Sequence, residues 1–178
     1  MAALTDRDIR RLFALLNEEL GREETEGELF LVGGAVMCLA YAARPSTQDV
    51  DGLFRPARQV REAAARVALQ AGISPDWLND GVKGFLSERG EFSVFLELDH
   101  LRVMVAQPEY LLAMKLHASR DERDLNDATT LFLRLGYTTA QDGVDLLARA
   151  YPVARLLPRH RYVAQDVAAR AAARRDSQ

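Results

Sequence analysis

With a single cysteine among 178 residues, the chain can form no intrachain disulfide and no cysteine-built zinc site. Cys38 falls in an apolar stretch and reads as a small core residue, which suits a cytoplasmic setting. His100, His117 and His160 stand at no metal-ligand spacing. No apolar run approaches the length of a membrane span, and the N-terminus lacks a basic-then-apolar leader. A cytoplasmic protein with no membrane association is therefore expected. The phosphate-loop and dinucleotide glycine patterns are both absent, and Ser46 sits in no nucleophile-elbow pattern. Net charge is only −3, so the chain as a whole does not attract nucleic acid. Its arginines are unevenly placed, however: Arg155, Arg159, Arg161, Arg170, Arg174 and Arg175 face only Asp166 and Asp176 after Tyr151. That basic tail reads either as a surface for RNA phosphates or an acidic partner, or as a solvated helical face.

What is present centres on residues 29–54. Leu29 to Val32 is a short apolar run that predicts a buried strand, followed by Gly33 and Gly34 and a helix from Ala35 to Ala43. Arg44, Pro45 and Ser46 break that helix, and a second strand, Gln48 to Phe54, carries Asp49 and Asp51. Strand side chains alternate with period two, so the spacing puts both carboxylates on one face. Adjacent carboxylates repel, and a hard divalent cation removes the repulsion; Mg²⁺ takes one or two carboxylates together with phosphate oxygens. A glycine pair opening a helix presents backbone N–H groups to an anion. This order of parts predicts a place for a metal-bound polyphosphate.

The rest of the chain supplies a frame. Thr5 and Asp8 have capping-box spacing at the start of a helix to Gly21, with Ile9, Leu12, Phe13, Leu16 and Leu20 on one stripe. Pro56 and Gly72 bracket a second helix. Residues 73–90 read as a short helical turn and a glycine-marked connection. Glu91 to Leu98 alternates, predicting Phe92, Val94, Leu96 and Leu98 on one face, and a turn at Asp99-His100 leads to a partner strand from Leu101 to Val105. From Pro108 on the chain reads as helical, with Lys115 on or beside an apolar stripe, where it either snorkels or reaches into a cleft. Arg120–Asp124 and Arg123–Asp127 have i,i+4 spacing. Thr139 and Asp142 open another helix, and the last runs from about Arg159 to Arg175.

Gly33-Gly34, Arg44, Thr47 and Asp49-x-Asp51, in that order, resemble the signature of the nucleotidyltransferase superfamily. More narrowly, together with residues 108–120 and Arg123-Asp124-Leu125-Asn126-Asp127, they resemble small bacterial proteins related to AbiEii-type toxins of toxin–antitoxin systems. The resemblance implies an α+β fold: a small mixed sheet flanked by helices over residues 1–107, with a C-terminal helical part over 108–178. It implies an enzyme using Mg²⁺ or Mn²⁺ to move a nucleoside monophosphate from an NTP to an acceptor hydroxyl. The metal ligands would be Asp49, Asp51 and a third acid, Glu97 in preference to Asp99. Gly33, Gly34, Arg44 and Thr47 would hold the nucleotide. Lys115 would face the triphosphate, with Arg120, Asp124 and Asp127 as a polar wall. RNA, tRNA above all, is the implied acceptor and an antitoxin the implied protein partner. Small-molecule nucleotidylation and a catalytically degenerate binding module are the alternatives.

Overall fold

The Thr5 side chain accepts a hydrogen bond from the Asp8 N–H, and the Asp8 carboxylate takes the Thr5 N–H at 2.9 Å, as the capping-box spacing predicts. This reciprocal bond separates a two-residue strand, β1 (Leu4–Thr5), from helix α1 (Asp6–Arg22). The computed structural model describes residues 3–86, 90–119 and 121–177, and the chain divides into two compact units. The first holds residues 1–84 and 92–106, the second residues 85–91 and 107–178. The architecture is mixed α+β, as the sequence predicts.

In the first unit β2 (Gly27–Val32) leads directly into a short helix, α2 (Gly33–Leu39). That helix stops four residues before the expected Ala43. Ala42 turns the chain through the left-handed region at φ +49°, and the Ala43 N–H bonds back to Met37 O at 2.9 Å. Strand β3 (Ser46–Thr47) pairs antiparallel with β1 through Leu4–Thr47 and Thr5–Ser46. Then come β4 (Val50–Arg55), α3 (Ala57–Ala71, closed by Gly72 at φ +67°), β5 (Leu78–Asn79), β6 (Phe92–Glu97) and β7 (Leu101–Ala106). The five-stranded sheet has the order β5-β4-β2-β7-β6. Within it β2 runs antiparallel to β4 and parallel to β7, β4 is parallel to β5, and β6–β7 is an antiparallel hairpin.

The apolar stripe of α1 is buried, as its spacing predicts, and α1 packs on α3. A fully buried ring such as Phe13 is worth about 3–5 kcal/mol against alanine. On α3 the buried face is Val60, Ala63, Ala64, Val67 and Ala68. Trp77, buried beside Phe13, satisfies its indole by donating to Ala64 O at 3.0 Å. The expected alternation of β6 does not survive. A β-bulge falls between Val94 and Leu96: Val94 pairs with Met104 and Leu96 with Val103, so Leu96 lies on the opposite face from Phe92 and Val94, and Val94 and Leu98 are exposed.

The second unit is a helical bundle of α4 (Pro108–Ala118), α5 (Glu122–Arg134), α6 (Ala140–Ala150) and α7 (Pro158–Asp176). Residues Tyr110 to Leu116 of α4 are buried all the way round, marking it as the central helix. Gly143 lets α6 approach α7: a Cβ there would lie 3.2 Å from that of Ala164. Thr139 and Asp142 form the expected capping box.

Candidate functional site

The first unit gathers most of the expected site at one end of its sheet. Val32 and Asp51 face each other in the β2–β4 ladder, so Asp51 lies where β2 turns into α2. Gly33 makes that turn at φ +68°, a conformation open to glycine, and a Cβ on it would stand 3.0 Å from Asp51 Oδ2. A Cβ on Gly34 would stand 2.7 Å from Thr47 Oγ1 and 3.0 Å from Arg44 Nη1. The glycine pair is thus the floor on which the Asp51 carboxylate, the Thr47 hydroxyl and the Arg44 guanidinium rest. Pairing of β3 with β1 fixes Thr47, which is buried. The Tyr41 hydroxyl, donating to Ala106 O at 3.0 Å, ties down the segment just after α2.

Asp49 precedes β4 rather than lying within it, which corrects the expected strand. It is still half-buried, as Asp51 is, while Val50 between them is buried. Desolvation holds its carboxyl above the usual carboxylate range, opposed in part by a hydrogen bond from Asn79. That bond runs from Asn79 Nδ2 to Asp49 Oδ2 at 3.2 Å. Asn79 also faces Asp51 across the β4–β5 ladder. Its place here escaped the sequence reading because β5 is two residues long, too short for any periodicity to register.

Glu97 is not part of this cluster. Its rung in the sheet runs Glu97–Arg102–Glu28–Arg55, four residues along β4 from Asp51. That offset is about 13 Å at roughly 3.3 Å per residue, and two strands intervene. Glu97 instead takes the Arg102 guanidinium, Nη2 to Oε1 at 2.7 Å, and lines a hollow with Asp99, Glu28 and Arg55. Pairing register, set by the hairpin turn, carried the acid to the wrong end of the sheet. Among the described residues no group of three His, Cys, Asp or Glu side chains converges.

Two carboxylates are nonetheless the protein share that Mg²⁺ takes when phosphate oxygens complete its shell. The hard oxygens of Asp51, beside the Cβ-free floor of Gly33 and Gly34, and of Asp49, joined to its rung through Asn79, fit that group.

Lys115, Asp124 and Asp127 belong to the second unit, and Arg120 lies outside the described residues. The ammonium of Lys115 does not snorkel. It is buried, with Asp124 Oδ1 at 2.6 Å and Asp127 Oδ2 at 2.9 Å. The two acids read from spacing as i,i+4 partners of arginines therefore serve this lysine. The basic tail is likewise engaged inside its own unit: Arg170 takes Glu122 and Asp166, Arg174 takes Asn126 and Thr130, and Arg175 takes Tyr137 O. These three arginines pin α7 to α5 and to the turn after it. No helix in the described residues is long and apolar enough to cross a membrane.

No family model matches the chain, and comparison with curated proteins and with solved structures returns no match.

Proposed function

We propose that this chain is a metal-dependent nucleotidyltransferase that moves a nucleoside monophosphate from an NTP to an acceptor hydroxyl. The observation that carries the reading is the convergence of Asp51, Thr47 and Arg44 on the Gly33-Gly34 turn, with Asp49 joined to the rung of Asp51 through Asn79. A divalent ion bound there would supply charge neutralisation for the polyphosphate and a lower pKa for the attacking hydroxyl. Asp49 and Asp51 would hold it. Val32, which precedes α2, makes no side-chain cap, and the N–H groups of the Gly33-Gly34 turn would meet phosphate oxygens. Arg44 would offset charge gathering on the leaving pyrophosphate, and the Thr47 hydroxyl would orient one phosphate oxygen. The acceptor oxygen bonds to the α-phosphorus as the bond to the β-phosphate breaks, and the hydroxyl proton leaves to solvent.

RNA is the first acceptor class to test, tRNA before others, with small hydroxyl compounds second; an antitoxin partner remains part of the proposal. Among the described residues no third acid joins Asp49 and Asp51, which favours one rival, a module that binds nucleotide or a protein partner without turnover. Incubation with each labelled NTP, Mg²⁺ and total tRNA separates them. Transfer of label with release of pyrophosphate is expected, and Asp51→Asn should lower it about 10²–10³-fold, the usual scale for lost electrostatic stabilisation. Adjacent like charges cost stability without metal, so this variant should fold as well as the wild type. Nucleotide binding with no pyrophosphate release under any acceptor would establish the binding module instead.

A further inference from the structure

Asn79 is held from two sides. Its Nδ2 donates to Asp49 Oδ2 at 3.2 Å, and its Oδ1 accepts from the Gly81 N–H at 3.1 Å. Only one orientation of the amide satisfies both bonds, because a carboxylate needs a donor and an N–H needs an acceptor. On the β4–β5 ladder Asn79 stands on the rung of Asp51. The next residue, Asp80, is an acid, but it is committed elsewhere: Arg61 Nη2 lies 2.9 Å from its Oδ2, and Lys83 pairs with it too. The position beside both site carboxylates is thus filled by a neutral amide, and the nearest acid in sequence is neutralised by two cations.

We infer that Asn79 is a positioning residue that aims Asp49 and fixes the site at two carboxylates, so that it takes one divalent ion with the nucleotide and not a pair. The inference rests on the proposed function. Its physical basis is donor count. Two ions a few ångströms apart repel and need bridging acids, and two carboxylates with an amide donor turned toward one of them cannot supply those. The amide N–H occupies one oxygen of Asp49, which leaves the other for the cation.

The test uses the full chain, with Mn²⁺ as probe and a nucleotide analogue that cannot be cleaved between its α- and β-phosphates. Electron paramagnetic resonance counts bound ions, and calorimetry gives affinity. One Mn²⁺ per chain is expected for the wild type. Asn79→Asp should bind Mn²⁺ about tenfold more tightly, since ligand charge sets affinity at oxygen sites, and should take up a second ion. It should also melt lower than the wild type without metal, through repulsion from Asp49, and regain the difference when Mn²⁺ is added. Asn79→Ala, which adds no charge, should weaken Mn²⁺ binding about tenfold or more, as loss of a ligand's orienting partner does. Two ions in the wild type would overturn the inference, as would Asn79 variants that fold and bind Mn²⁺ as the wild type does. Those results leave the transferase reading standing. No Mn²⁺ with nucleotide in the wild type would remove both.

Discussion

Lys115 and Asp127 form a buried ion pair, Nζ to Oδ2 at 2.9 Å, with both side chains at 10% exposure or less. Asp124, at 24%, completes the set. Removing one partner of such a pair leaves the other charge buried and uncompensated. Lys115→Met should therefore cost about 3–5 kcal/mol of unfolding free energy in urea. The double change Lys115→Met with Asp127→Leu should recover much of that loss, because a packed apolar pair replaces the stranded carboxylate. A single variant as stable as the wild type would show that the lysine is not a structural centre of its unit.

Asp49 is the group to follow with pH. Burial raises its proton affinity in the folded state, so the folded apo protein holds that proton more tightly than the unfolded chain does. Its contribution is favourable below the ordinary carboxylate pKa, and it is lost as pH climbs through the raised value. Asp8, Asp121 and Asp142, whose carboxyls are held low by hydrogen bonds from N–H and hydroxyl groups, act in the opposite sense. The difference between wild type and Asp49→Asn isolates the one from the others. Without metal, the variant should gain stability over the wild type as pH rises above about 4, the ordinary carboxylate range. A difference that does not change with pH would mean that Asp49 is already solvated.

His117, Tyr151 and His160 stack in the second unit, with ring centroids 4.2 Å apart for His117–Tyr151 and 4.5 Å for the two histidines. The Arg155 carbonyl can only accept, so His117 Nε2–H donates to it at 3.1 Å, and Nδ1 is buried with no hydrogen-bond partner among the described residues. Desolvation lowers both histidine pKa values, and the nearby Arg155 and Arg159 charges act in the same direction. A depressed folded pKa leaves stability intact above about pH 6.5 and removes it as pH falls below, where the unfolded rings take up protons. Melting temperature should drop between about pH 7 and 5, and His117→Phe, which keeps the stacked ring, should flatten that drop. A wild-type curve unchanged over that range would contradict the buried neutral pair.

The tail arginines make a contrast that salt can read. Arg170 bonds to acids, so Arg170→Gln should lose about 0.2–1 kcal/mol, and less at high salt. Arg174 bonds to neutral groups, Asn126 Oδ1 at 2.7 Å and Thr130 Oγ1 at 3.2 Å. Arg174→Gln should cost about 0.5–1.5 kcal/mol at any ionic strength. Equal salt dependence in the two variants would mean that the helix contacts are not formed as described.

Helix starts were legible because their chemistry is local: Thr5 with Asp8, and Thr139 with Asp142, each close a loop of four residues. So were the glycine turn and its Asp-x-Asp partner, since only a short helix, a turn and a two-residue strand separate them. Glu97 was misplaced because register depends on where a hairpin turns, and the bulge after Val94 depends on packing that no window of sequence contains. Asn79 was missed for a related reason. Its meaning comes from a two-residue parallel pairing with β4, reached only after all of α3 has crossed over. The partners of Arg170, Arg174 and Arg175 were not legible because charge counted along a chain does not say which groups a fold brings to it.

The central strand has one more consequence, for the order in which the chain is made. β2 is flanked by β4, which follows soon after it, and by β7, whose Leu101–Val105 comes far later yet pairs with Gly27–Leu31. Until β7 leaves the ribosome, one side of β2 has its N–H and C=O groups unpaired, and Leu29 and Leu31 have an incomplete cover. Bringing β7 back closes a long loop, a step that slows folding more than it weakens the product. The first unit is therefore completed only when its last strand has been synthesised.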